Sequence, residues 1–135
     1  LSDAQFEAEQ MNKKLQFDDI PNITISGNPK LLMSALENIV RNAIYYGKDT
    51  IVVRFSTTEH HVTVSVEDNG DGVPDDELTQ IFRPFYRVST ARDRHSGGTG
   101  LGLAITESAI RQHSGVIEAS RSPLNGLKVQ FTLPI

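Results

Sequence analysis

Two glycine-rich turns, separated by a stretch of almost no regular period, constrain this chain more than any other feature. The first, Glu67-Asp68-Asn69-Gly70-Asp71-Gly72-Val73-Pro74, follows an alternating apolar run (Val62, Val64, Val66) that reads as a strand. Asp68 is therefore expected at a strand end, its carboxylate at the mouth of a pocket. Gly70 and Gly72 let the backbone turn sharply and approach a ligand where a Cβ would obstruct it. The second turn, Ser96-Gly97-Gly98-Thr99-Gly100-Leu101-Gly102-Leu103-Ala104, runs into a helical pattern of Leu101, Ala104, Ile105, Ser108 and Ala109. A glycine turn feeding a helix start presents unpaired backbone N–H groups, which attract phosphate. A carboxylate at one turn and a phosphate cradle at the other point to a purine nucleotide, its base at Asp68 and its phosphates at Gly98 to Gly102.

Around this stretch the chain punctuates itself clearly. Residues 2–14 read as a capped polar helix with Phe6 and Met11 inward and Glu7, Glu9 and Lys13 outward. Leu15 to Phe17 and Ile23 to Ile25 are short strand candidates. Asn28 as N-cap and Pro29 at the first position open the longest helix, to Tyr46, which Gly47 ends. Its stripe of Leu32, Leu36, Ile39, Val40, Ala43 and Ile44 must face a sheet, and Asn38 and Asn42 share a face at the stripe's edge. An amide on a half-buried face costs about 1–3 kcal/mol if it finds no partner. Ile51 to Phe55 and Val62 to Val66 pair antiparallel around Glu59-His60-His61, and a short helix is expected from Asp75 to Phe82. Residues 83–98 read as a loop or lid. A helix from about Thr99 to His113, stopped by Gly115, precedes a hairpin of Val116 to Ala119 and Leu127 to Leu133 around Pro123-Leu124-Asn125-Gly126. Helices and strands mix without strict alternation, so a mixed sheet with helices on one face is expected, an α+β domain rather than a doubly wound one.

Composition narrows the function classes. The 135 residues suit one domain, 1–135, and a net charge of −4 argues against a general nucleic-acid binder, although basic residues cluster from Arg83 to Arg94. The chain has no cysteine, hence no disulfide framework, thiol nucleophile or cysteine zinc site. No apolar run approaches the roughly 20 residues of a membrane span, and Leu1 suggests a piece of a longer protein. Other nucleotide signatures fail: there is no G-x-x-x-x-G-K-[ST], and no G-x-G-x-x-G follows a strand. Counting twelve from Asp68 as a calcium loop reaches Thr79, where a bidentate Glu is required.

Four segments, Glu37-Asn38-Ile39-Val40-Arg41-Asn42-Ala43, Asp68-Asn69-Gly70-Asp71-Gly72, Phe82-Arg83-Pro84-Phe85 and Gly98-Thr99-Gly100-Leu101-Gly102-Leu103, resemble in order and spacing the N, G1, F and G2 boxes of bacterial sensor histidine kinases. The resemblance covers essentially the whole chain. It implies their catalytic ATP-binding domain, a two-layer α/β sandwich of the Bergerat type with a mobile ATP lid, shared with type II topoisomerases, MutL proteins and a heat-shock chaperone. Carried over, Asp68 accepts the adenine amino group while Gly70, Gly72 and Val73 shape the base pocket. Asn38 and Asn42 hold Mg²⁺ and the phosphates through side-chain oxygens, as a hard cation prefers. Tyr46 stacks near base or ribose, and Ile81, Phe82 and Tyr86 complete the nucleotide set. Arg87, Gly98, Thr99, Gly100, Leu101, Gly102 and Leu103 meet the polyphosphate; Phe82 and Phe85 anchor the lid.

One position departs from the family pattern: Tyr45 stands where relatives commonly carry Lys or Arg, so a phosphate contact is lost or moves to Arg41 or Arg87. In relatives that hydrolyse ATP a helix Glu activates water; by register that position is Asn38, not Glu37. An amide takes no proton, which suits transfer to a better nucleophile. The implied nucleophile is a neutral histidine imidazole on a separate dimerisation domain preceding Leu1, with Asn38 and Arg87 as the catalytic pair. None of His60, His61, His95 and His113 has a phosphoacceptor context; His113 ends a helix, where a cation is favourable. Onward transfer to a response regulator, and a cytoplasmic position in an inner-membrane sensor, are implied by the resemblance alone. An ATP-sensing module supporting phosphatase activity, or a serine kinase or ATPase of the same fold, stays open.

Overall fold

The computed structural model describes residues 2–18, 21–84, 86 and 102–135. Helix α1 (Ser2–Gln10) leads into strand β1 (Lys14–Phe17), helix α2 (Pro29–Tyr46) and the hairpin of β2 (Thr50–Thr57) and β3 (His61–Asp68). A single 3-10 turn (Asp75–Glu77), helix α3 (Gly102–Gln112) and the hairpin of β4 (Val116–Arg121) and β5 (Leu127–Pro134) complete the order. The sheet order is β1-β2-β3-β5-β4. Among the described residues only β1 and β2 run parallel, so the sheet is mixed and mostly antiparallel, as expected.

Register separates its two faces. Val53, Val66, Val129 and Ala119 align across four strands, as do Phe55, Val64, Phe131 and Ile117, and these rows pack with the helices into one apolar core. The opposite face is polar: Arg54 pairs with buried Glu67 at 2.7 Å, and Thr63 and Thr132 share a hydrogen bond. Period-2 alternation thus produces a sheet covered on one side.

Helix α2 forms as its ends dictate. Asn28 Oδ1 accepts the Leu31 N–H at 3.1 Å, Pro29 occupies the first position and the Gly47 N–H closes on the Ala43 carbonyl. Ala35, Ile39, Val40, Ala43 and Ile44 are its buried face.

Several expectations are corrected. In α1 the inward residues are Ala4 and Ala8, both 0% exposed, while Phe6 is 61% exposed and Met11 is exposed too. Small residues one turn apart let α1 lie close on its neighbours, which leaves no room for a phenyl ring. Residues 23–25 pack Ile23 and Ile25 against the core but lie outside the five-stranded sheet. In place of a helix from 75 to 82 there is one 3-10 turn and further turns, with i to i−3 bonds from Glu77, Leu78, Gln80 and Arg83. In α3 the stripe is displaced: Ile105 is 50% exposed, and Thr106, Ala109 and Ile110 face inward, with the Thr106 hydroxyl donating to the Ala35 carbonyl. Ser114, not Gly115, takes the left-handed turn after α3 (φ 61°). Gly115 is needed because a Cβ there would stand 2.7 Å from Ile110, Leu133 and the Thr132 carbonyl.

His113 also differs. Its Nε2 accepts the Asn28 N–H at 2.9 Å and its Nδ1 faces the Ala109 carbonyl at 2.8 Å. That pattern requires a neutral ring with the proton on Nδ1, so here the residue joins the end of α3 to the start of α2 rather than placing a cation at a helix end.

Candidate functional site

Strand β3 ends at Asp68, and the turn behind it folds the chain against both α2 and the β4–β5 hairpin. Asp68 is 2% exposed. Its Oδ1 accepts the N–H of Gly70 at 2.9 Å and of Leu127 at 3.2 Å, while among the described residues no donor reaches Oδ2. Burial raises the carboxyl above its ordinary range, opposed by the two N–H donors and by the positive charge of Lys13. The arrangement is an oriented acceptor: one oxygen is held, and the other meets no donor among the described residues.

Glycines make this approach feasible. A Cβ on Gly70 would collide with the Tyr46 carbonyl, and one on Gly126 would collide with Asp68 itself. Gly72 adopts φ 75°, left-handed backbone that favours glycine, and passes the Asn125 carbonyl. Gly126 is legible in the sequence only as a hairpin residue; its fit against Asp68 depends on a partner 58 positions away and leaves no local signal.

Asn69 is the residue sequence reasoning overlooked. Its Oδ1 accepts three N–H groups, from Lys48, Asp49 and Thr50, each at 3.1 Å, and its Nδ2 donates to Asp49 at 2.7 Å. One side chain therefore satisfies the loop between α2 and β2 and fixes it to the end of β3. The Asp49 carboxyl is held below its ordinary range, first by the Asn69 hydrogen bond and then by Thr50.

Helix α2 ends at the same corner. Tyr46 is half-buried, with its ring centroid 5.5 Å from that of exposed Tyr45. Asn42 and Asn38 lie one and two turns back from it, about 6 and 12 Å along the axis. Both are half-buried, and among the described residues neither side chain has a hydrogen-bond partner. The two amides, four residues apart, share one face of α2, and side-chain oxygens of this kind are the donors a hard cation prefers. Among the described residues no group of three His, Cys, Asp or Glu could hold a metal instead.

The remaining expected residues divide. Arg41 reaches Glu7 at 3.3 Å and Glu37 at 3.9 Å, so its charge turns toward α1; the same contact occupies Glu37. Ile81 and Phe82 are buried in the core, Val73 and Leu103 pack against it, and Tyr86 donates its hydroxyl to the buried Glu77 carboxylate. Gly102 is the first residue of α3. Phe85, Arg87, Gly98, Thr99, Gly100 and Leu101 lie outside the described residues. An open groove of about 560 Å³ along α2 is lined by Met33, Ser34, Asn38 and Arg41 among others; it reaches the first amide but not Asp68. No described helix is long and apolar enough to cross a membrane.

Known proteins resemble this chain in sequence and in fold. The sensor histidine kinase CpxA of Escherichia coli (strain K12) is 52% identical over 136 aligned residues, covering 100% of this chain and 30% of that protein. The chain thus spans under a third of the length of that relative. Among solved structures, the mycobacterial sensor histidine kinase MprB superposes with a TM-score of 0.84 at 22% identity, covering 98% of this chain and 91% of that one, a likeness of fold. The ATP binding domain of PrrB from Mycobacterium tuberculosis gives 0.77 at 26% identity, covering 99% and 90%. In sequence and fold the chain is thus similar to sensor histidine kinases. Residues 27–135 match the model of the histidine kinase-, DNA gyrase B-, and HSP90-like ATPases, and the chain belongs to that family.

Proposed function

We propose that this domain binds Mg²⁺-ATP and donates the γ-phosphoryl group to a histidine on a dimerisation domain elsewhere in a longer sensor kinase, from which it passes to a response regulator. The observation that carries the reading is Asp68: a buried carboxylate with one oxygen held by the Gly70 and Leu127 N–H groups and the other without a donor among the described residues. An adenine amino group is a donor suited to that second oxygen. Asn42 and Asn38, stepping away along α2, would hold the cation and the phosphates by their side-chain oxygens. Mg²⁺, when bound, neutralises charge on the phosphates. By the family resemblance, the backbone N–H groups at the start of α3 would meet the same anion, with Arg87 and Gly98 to Gly102 completing the cradle.

No carboxylate of the α2 motif serves as a base for water, since Glu37 is engaged with Arg41 and Asn38 accepts no proton. Transfer then depends on positioning a better nucleophile, for which a neutral imidazole suffices near neutral pH. The parent protein, by its resemblance to CpxA, is a membrane-anchored sensor with this domain in the cytoplasm. The test is to mix the chain with the dimerisation domain of its parent and γ-labelled ATP. Acid-labile label on that domain's histidine is expected, and label that never leaves ATP for histidine refutes the kinase reading. Asn38→Ala should weaken Mg²⁺-ATP more than metal-free ATP in calorimetric titration; equal losses contradict the metal role.

A further inference from the structure

The corner that carries Asp68 is held by a residue from outside the family-matched region. Lys13 comes just after α1, whose end turns through Asn12 at φ 57°. Its Nζ donates to the carbonyls of Ile44 and of Gly47 (2.8 Å), and lies 3.4 Å from that of Tyr45. These are terminal carbonyls of α2, which has no basic residue in its own last turn. A cation from another element thus occupies the negative end of the helix and satisfies acceptors that the helix leaves open.

The contacts made by this end of α2 give Lys13 its consequence. The Tyr46 carbonyl fills the space where Gly70 lacks a Cβ, and Gly47 backs on to the Asp68 side chain. We propose that Lys13 is a positioning residue for the nucleotide base: by fixing the last turn of α2 it sets the wall against which Asp68 and Gly70 are held. This rests on the base-pocket reading of Asp68. The match to the family begins at residue 27, so α1 and β1, although outside the matched region, contribute to the nucleotide site through Lys13. The positive charge of Lys13 adds to the Gly70 and Leu127 N–H groups in opposing the burial of Asp68, while Lys14 and Lys48 act on Asp49, which Asn69 and Thr50 hold.

The experiment compares ATP titrations of the 135-residue chain with Lys13→Met, Lys13→Gln, Lys13→Arg and Asp68→Asn across a range of pH. Lys13→Met should lose roughly tenfold in affinity, the scale of one lost charge-assisted hydrogen bond. Lys13→Arg should recover most of that loss. In both neutral variants the acid limb of the affinity profile should move to higher pH, because Asp68 without its cation takes up a proton more readily. A purely structural staple would lower the melting temperature without moving that limb. Wild-type affinity and an unmoved limb in Lys13→Met overturn the proposal; if that variant does not fold, an unmoved limb in Lys13→Gln does so. Should Asp68→Asn bind ATP like the wild type, the base pocket itself is refuted and this inference falls with it. Loss in Asp68→Asn without loss in the Lys13 variants refutes the role of Lys13 alone.

Discussion

Asp68→Asn separates the fold from the proposed chemistry, because it alters the second oxygen and spares the held one. The amide oxygen can still accept the Gly70 and Leu127 N–H groups, and this fixes the amide orientation: reversed, its NH2 would face two donors. The NH2 then points where the adenine amino group should donate. The loss of a hydrogen bond to a charged acceptor costs about 1.5–3 kcal/mol, and a donor left facing a donor adds about 1–3 kcal/mol. At about 1.4 kcal/mol per tenfold, ATP affinity should fall on the order of 100-fold or more. Stability should barely change. The two N–H groups keep a neutral acceptor, weaker than a carboxylate, but the cost of burying a charge at 2% exposure disappears. Calorimetric titration with ATP, alongside a thermal melt, reads both quantities. A dissociation constant within roughly threefold of the wild type, less than one neutral hydrogen bond, would refute the base-pocket argument.

The same corner gives two further expected outcomes. Burial raises the Asp68 carboxyl above its unfolded value of 3.8, so the native state binds the extra proton between the two values, and this group's contribution to stability falls as pH rises through that window. Nucleotide affinity should change the opposite way, weakening on acidification as the acceptor protonates; a difference between wild type and Asp68→Asn that lacks this opposition in melts and titrations would contradict the assignment. Asn69→Ala frees four hydrogen bonds, but the three N–H groups lie where water can reach them, so the expected cost is about 1–2 kcal/mol rather than their sum. Urea unfolding should show a lowered midpoint at unchanged slope, and no loss would mean that the loop before β2 holds itself.

The legible parts of this fold are those set by nearest neighbours along the chain. Asn28-Pro29 and Gly47 bound α2 because a cap, a proline and a stop act within a turn of themselves. The β2–β3 and β4–β5 hairpins come from alternation on strands that face one core. Asp68 at a strand end and Gly70 and Gly72 behind it are readable for the same reason. Errors arise where an apolar residue has a choice of face. Phe6 and Ile105 are apolar and exposed, while Ala4, Ala8 and Thr106 are inside. Hydrophobicity ranks the cost of exposure, but the distance between packed helices decides which side chain fits between them.

The site shows a second, sharper limit. Asp68 can be picked out from its strand and glycines, yet its partners Leu127, Gly126 and Lys13 lie far along the chain in both directions. None of the three advertises itself: a leucine opening a strand, a glycine in a hairpin turn and a lysine after a polar helix all have sufficient local explanations. Their common feature is what they do to one carboxylate. Leu127 orients it, Gly126 leaves it room, and Lys13 opposes the cost of its burial. A buried acid can remain a usable acceptor only if such terms together offset its desolvation. The demand for these partners comes from the chemistry of Asp68, while their identity depends on how the sheet order brings β5 beside β3 and α1 beside the end of α2.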